Sequence, residues 1–296
     1  MILKENDVNK FISLYELFLN YISTKNENIP DILSLKDSPE LIVSAMTEAR
    51  DFFAQNKHFL DEFIETNPYG IAGKDLEIVK SWKHMILGKF VVYRDLKKHT
   101  ILLSQEKDCK AYGVLGLNNE IIDLIQEKFF LDLPAVVETA ILPYKDKIIW
   151  DGLVCLYRVV MGGGIKRDLD DTYKMAKAKY GIITSLPFDG KGAESKDERM
   201  LEYYLSTREN RDFFWEEIEE LGSKSHGLFV LFYQTMGKIH ARKIKKALKE
   251  EDMRGHFAIL YETVVASGST KKKLEENIRD IVPENQLDLI YKFRLK

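Results

Sequence analysis

Cysteine is scarce in this 296-residue chain, and the two present, Cys109 and Cys155, exclude most of the chemistry that cysteine brings. Two are too few for a disulfide framework, and neither belongs to a CxxC pair or to a Cys and His spacing that closes a zinc site. A reducing compartment suits both thiols, and Cys155, inside GLVCLYRVV, reads as a small core residue. Long apolar runs are missing too: Arg158 and Lys238 interrupt the longest before the roughly 18 residues that a membrane helix needs. The opening MILKENDVNK meets Glu5 and Asp7 before the apolar core of a secretion signal can form, so no membrane span is expected and the cytoplasm is the expected location. Catalytic and nucleotide signatures are also lacking: there is no GxxxxGK followed by Ser or Thr, no GxGxxG, no HExxH and no GxSxG. These gaps leave the catalytic residues unassigned and give no metal ligand and no cofactor. They lean against an enzyme without deciding the matter.

What the chain does have is an apolar content of 45%, enough for ordinary cores in about two domains. Val8, Phe11, Ile12, Tyr15, Phe18, Leu19 and Ile22 recur at helical spacing, and Ser38 before Pro39 and Glu40 marks a helix start. Leu76, Val79, Trp82 and Ile86 line a further helix that ends near Gly88. Residues 1–86 are therefore expected to form a helical region. From Lys89 the period changes, and KFVVYRDLKKHTILLS, KAYGVLGL and AVVETAILPYKDKIIWDGLVCLYRVV read as strands, with Asn118 to Phe130 and Asp168 to Tyr180 as helices and GIITSLP as a last strand. Residues 87–187 are expected to form a small antiparallel, barrel-like β domain. FDGKGAESKDER, residues 188–199, reads as a linker, and 200–296 as a helical domain. The fold class is α+β.

LPAVVETAILPYKDKIIWDGLV, MGGGIKRDLDDTY and GIITSLP resemble the signatures of a family of uncharacterised bacterial and archaeal proteins. The resemblance covers roughly residues 60–187 and implies no activity and no functional residue.

Charge is unevenly placed. Residues 222–296 carry 15 Lys plus Arg against 9 Asp plus Glu, a balance of +6, which leaves −9 for residues 1–221 out of the total of −3. Within the tail, residues 222–249 hold seven cations and no acid. Such asymmetry points to an anionic partner, or to docking of a basic tail on the acidic body of the same chain, a neighbour or another protein. Phe229, Phe232, Tyr233, Met236, Ile239, Ile244 and Leu248 form an apolar stripe, with Lys238, Arg242, Lys245 and Lys249 on a different face. A second basic group, Lys271, Lys272 and Lys273, falls in the first turn of a helix capped by Ser269 or Thr270, where it opposes the helix dipole unless an anion is near. FAILYETVVASG followed by STKKKLEENIRDIV has the outline of a helix-turn-helix. Together these predict nucleic-acid binding.

Two alternatives stay open. Gly162, Gly163 and Gly164, followed by Lys166 and Arg167, suggest an anion loop for a phosphorylated small molecule, although Asp168, Asp170 and Asp171 at the expected helix start would repel it. The other is a structural or oligomeric role. His58, His84, His99, His226, His240 and His256 make no close pair, and Asp95, Asp108 and Lys110 match a nuclease by residue type alone, since both acids fall in expected turns. Glu138 lies inside an apolar strand, on the face that alternation exposes.

Overall fold

The computed structural model describes residues 2–35, 38–128, 132–159, 161–188 and 196–296, in two compact units, Met1–Lys191 and Gly192–Lys296. In the first unit come α1 (Glu5–Ser23), α2 (Pro39–Gln55), α3 (His58–Thr66) and α4 (Gly73–Ser81). They are followed by β1 (Ile86–Leu96), β2 (His99–Ser104), β3 (Ala111–Leu115), α5 (Ile121–Asp123), β4 (Ala135–Tyr144), β5 (Lys147–Tyr157), α6 (Gly163–Tyr180) and β6 (Ile182–Ile183). The predicted helix through Ile86 stops short: helical turns end at His84, and Ile86 already opens β1.

The strands pair as β2-β1-β4-β5-β3-β6, and β3 also pairs with β2. The antiparallel expectation is corrected here, because β3 runs parallel to both β5 and β6, which makes the sheet mixed. Alternation decides what each strand buries. Phe90 and Val92 of β1 enter an inner core with Leu102, Val114, Val137 and Ile148, while Val91 and Tyr93 turn outward under α6, beside Tyr173 and Ala176.

The N-terminal helices share a third core with the sheet. Phe11, Tyr15 and Phe18 of α1 meet Trp82, Phe53 and Phe63, and the cluster continues into Leu115, Leu142, Tyr144 and Ile149 of the strands. Full burial of each such side chain stabilises by roughly 1.5–3 kcal/mol, so residues 1–86 and the sheet are one cooperative body. A buried polar knot ties them further. Arg50 of α2 donates to an Asp151 carboxylate oxygen at 3.3 Å and to the Leu153 carbonyl at 3.0 Å. Thr139 (3.1 Å), Tyr15 (3.3 Å) and the Leu153 N–H (3.0 Å) also donate to Asp151. Gly152, at φ +86, supplies the left-handed residue that lets the strand turn its polar groups this way.

The second unit contains α7 (Lys196–Leu205), α8 (Arg208–Phe213), α9 (Trp215–Lys224), α10 (His226–Glu250), β7 (Gly255–Leu260), β8 (Thr263–Gly268), α11 (Lys271–Ile281) and β9 (Tyr291–Leu295). Residues 189–195 of the expected linker lie outside the described residues, and Lys196 to Arg199 already belong to α7. The expectation of helix to the end of the chain is also corrected: β8, β7 and β9 form an antiparallel sheet in that order. FAILYETVVASG is a hairpin rather than the first helix of a helix-turn-helix, closed by a two-residue loop in which Tyr261 takes φ 57. Tyr-Glu is not a turn signature, and a bulky residue rarely adopts that conformation, which is why the hairpin is hard to see in the sequence.

Strand alternation sorts the two long helices of this unit to opposite sides of its sheet. Phe257, Ile259, Phe293 and Leu295 pack on Ala241, Ile244 and Leu248 of α10, whereas Ala258, Ala266 and Ile290 pack on Leu274 and Ile278 of α11. The first half of α10 is buried differently, with Leu228 and Met236 against Leu201, Leu205, Ile218 and Leu221 of α7 and α9.

Candidate functional site

At about 100° per residue, Lys238, Arg242, Lys245 and Lys249 fall within about 60° of arc on α10, and they run for about 17 Å along its axis. Lys238, Arg242 and Lys249 are exposed. Lys245 departs from the group: it is half-buried, with its ammonium 4.7 Å above the ring of Phe293, a cation held by the sheet rather than offered to a partner. Lys243 and Lys246, which the four-residue pattern did not single out, are exposed on the next stretch of the same outer surface. Among the described residues, the ion pairs of this unit include those of Arg208, Lys224, His226, Lys273 and Lys292, and none uses a cation of the second half of α10. Cations in the last turn gain from the helix dipole, but Lys238, Arg242 and Lys243 lie too far from the C-terminus for that.

Lys271, Lys272 and Lys273 stand exposed in the first turn of α11, whose cap is Thr270: its hydroxyl accepts from the Lys273 N–H at 3.2 Å. Lys273 is answered by Glu276 at 3.3 Å. Because α10 and α11 cover opposite faces of the sheet, the sheet separates the two basic groups, and they do not form one cluster.

At the triple glycine, α6 begins at Gly163, five residues before the start read from the sequence, with Gly162 as its N-cap residue. The helix start expected at Asp168 is thereby corrected, and the first turn carries no acid. None of Gly162, Gly163 and Gly164 takes a positive φ, and a Cβ at any of them meets nothing within 4 Å. Lys166 and Arg167 are exposed, with the Lys166 N–H bonded to the Gly162 carbonyl at 3.1 Å. Beyond the helix start itself, no further feature of these residues points to a ligand.

Other sequence candidates are dispersed. Asp95 lies in β1 and accepts from Thr100, Asp108 is held by Lys179 and Tyr180, and Lys110 pairs with Glu106, so the three do not converge as a nuclease centre. Cys155 is exposed on β5, which corrects its reading as a core residue. It pairs across the sheet with Glu138, which accepts a short hydrogen bond from Tyr157. That hydrogen bond pushes the Tyr157 phenol above its usual range, while the Lys89 ammonium stands 4.5 Å over the Tyr157 ring. No group of three or more His, Cys, Asp or Glu side chains able to hold a metal occurs among the described residues. Nor is any described helix long and apolar enough to cross a membrane.

The sequence reading missed an aromatic groove in the second unit, of about 970 Å³, between α9, α10 and the β7–β8 turn. Its walls include Trp215, Phe229, Phe232, Tyr233 and Tyr261, with Glu216, Glu219 and Glu220 along α9. The stretch WEEIEE, an aromatic followed by a run of acids, was the available signal. Comparison of the chain with protein-family models, with curated proteins and with solved structures gave no match.

Proposed function

We propose that this protein binds nucleic acid through the outer face of the second half of α10. The observation that supports the reading is the absence of carboxylate partners, among the described residues, for Lys238, Arg242, Lys243, Lys246 and Lys249. In a chain with 47 acids and 44 Lys plus Arg, a run of unpaired cations on one rigid helix is a platform for phosphates. The opposite side of the helix is anchored in the sheet through Ala241, Ile244 and Leu248, so the cations are presented without ordering a flexible segment. No base-reading element accompanies them in this proposal: binding is electrostatic, directed at the backbone and tolerant of sequence.

Fluorescence anisotropy of labelled duplex DNA, single-stranded DNA and RNA, titrated at several salt concentrations, tests this. If Lys238, Arg242, Lys246 and Lys249 each neutralise one duplex phosphate, log K falls with log salt at a slope of about −3.6. Changing these four to Glu abolishes most of the binding, and changing Lys271, Lys272 and Lys273 to Glu leaves the slope nearly as it was. No binding at low salt, or equal loss from both variants, refutes the assignment.

A further inference from the structure

The sequence WEEIEELGSK of α9 sets an aromatic ring and two acids on one strip of a helix. Ile218 and Leu221 are buried against α7 and α10, which fixes the rotation of α9. Trp215 and Glu219, one turn apart, and Glu216, three residues before Glu219, therefore share the adjoining strip, and all three line the groove. Their chemistry is unspent among the described residues. Trp215 is 55% exposed and packs on no other ring, and Glu216 and Glu219 make no ion pair, whereas Glu220 has Lys224 at 3.9 Å.

The wall contributed by α10 is a continuous aromatic face. Phe229 and Tyr233, one turn apart, have ring centroids 4.7 Å from each other, and Phe232 stands 5.4 Å from Tyr233. Tyr261 extends the face from the hairpin loop, with centroids 6.0 and 5.9 Å from Phe232 and Tyr233. Its φ of 57 is strained for a bulky residue, and that strain is retained where the ring completes an aromatic surface. β8 forms the remaining side. There the register shifts at Val265, so that two residues of β8 stand against one step of β7, and the groove meets side chains and a bent edge rather than a straight row of free backbone groups.

These walls select one sign of charge. No Lys, Arg or His is among the described residues that line the groove. Its carboxylates repel phosphates and other anions, while carboxylates and the faces of the rings both attract a cation. A metal ion does not fit, because the acids form no group able to hold one. A volume of about 970 Å³ with mostly apolar walls is the size that takes an organic molecule. We propose that the groove binds an organic cation with an apolar body, such as an aryl- or alkyl-substituted ammonium. The body lies between Trp215 and the face of Phe229 and Tyr233. Its charge lies beside Glu216 and Glu219, and because these share a wall with Trp215, one compact molecule meets the ring and the acids at once. The proposal does not depend on nucleic-acid binding, since no cation of the second half of α10 takes part in it.

Trp215 is a built-in reporter. Trp82 and Trp150 are buried in the first unit, at 0% and 5% exposure, so the response of exposed indole belongs to Trp215. The full chain is titrated with three probes: tetraphenylphosphonium, tetraphenylborate, which has the same four-ring body and the opposite charge, and tetramethylammonium, which has the charge without the body. The quantity read is the part of the emission change that Trp215→Phe removes. Tetraphenylphosphonium is expected to give a saturable change, with each of the other two at least about tenfold weaker. Glu216→Gln with Glu219→Gln, both surface changes, weakens tetraphenylphosphonium by about tenfold, as two modest exposed ion pairs would, and does not weaken tetraphenylborate. Equal binding of tetraphenylborate, or no effect of the two Gln changes, overturns the charge argument. Equal binding of tetramethylammonium overturns the role of the apolar walls. An emission change on concentrating the chain alone makes a second copy the occupant. That result, no saturable response to tetraphenylphosphonium, or a response that survives Trp215→Phe, overturns the proposal. The variant with Glu at Lys238, Arg242, Lys246 and Lys249 keeps the tetraphenylphosphonium response, which separates failure of this proposal from failure of the nucleic-acid reading.

Discussion

Replacing Arg50 by Met, with Asp151 left in place, tests whether the buried knot joins the helices to the sheet as described. Met preserves much of the volume of the arginine stem but leaves the carboxylate with only Thr139, Tyr15 and the Leu153 N–H as partners. Removing one member of a buried pair strands the other, at about 3–5 kcal/mol. For a unit of this size, at about 2–4 °C per kcal/mol, that lowers Tm by roughly 6–20 °C. The loss also depends on pH. Burial holds the Asp151 carboxyl above its usual range, with the attraction of Arg50 pulling the other way. Without Arg50 the upward displacement grows. A folded-state pKa above the unfolded one gives stability that is complete below the ordinary carboxylate pKa, near 4, and is lost as pH rises through the raised value. The variant is therefore nearer to the parent at pH 5 than at pH 8. Arg50→Met combined with Asp151→Leu removes both charges and recovers most of the loss, because apolar replacement of a whole buried pair is often neutral. Urea unfolding in a Trp215→Phe background, followed by the emission of Trp82 and Trp150, reads these differences. A loss below about 1 kcal/mol, equal losses at the two pH values, or no recovery in the double variant refutes the account.

Two further outcomes follow from the first unit. Gly163→Ala and Gly164→Ala each stabilise it by about 0.4–1 kcal/mol, since helical φ values and open space around both positions leave only the lower entropy of the unfolded chain to count; destabilisation in thermal melts contradicts this. Lys145, Lys179 and Lys174 hydrogen-bond to Asp7, Asp108 and Asp170 and hold those carboxyls below their usual range. A lowered folded-state pKa gives stability present above the unfolded value and lost as pH falls through the folded one, so these three pairs weaken below about pH 4. Changing the three lysines to Met flattens the acid limb of a Tm against pH curve, and an unchanged limb rules the pairs out as its cause.

Where the sequence was legible, the signal was local. The 3.6-residue period of α1 and the alternation of β1 and β4 are properties of neighbours along the chain; α1 and β4 stand where the pattern puts them, whereas β1 begins three residues earlier, at Ile86. The charge asymmetry was equally plain. The hairpin of β7 and β8 was misread because FAILYETVV offers apolar residues at spacings that suit a helix as well, and Tyr261-Glu262 gives no turn signal. Cys155 was misread because GLVCLYRVV looks uniformly apolar, while strand geometry sends alternate residues to a face that neither the N-terminal helices nor α6 fully covers. The candidate basic face was half legible: helical spacing grouped Lys238, Arg242, Lys245 and Lys249, but only the position of Phe293 withdraws Lys245 from it.

By itself the sequence determined the α+β class, the helical N-terminal periodicity and the concentration of positive charge after residue 222, because composition and short-range period are carried by consecutive residues. Tertiary structure alone decided that β3 runs parallel to β5, that a sheet lies between the two basic groups, and that an acidic aromatic groove opens beside β8. Those features depend on pairings and packing between residues far apart in the chain. Such contacts are selected by the closure of whole cores, and no local pattern encodes them.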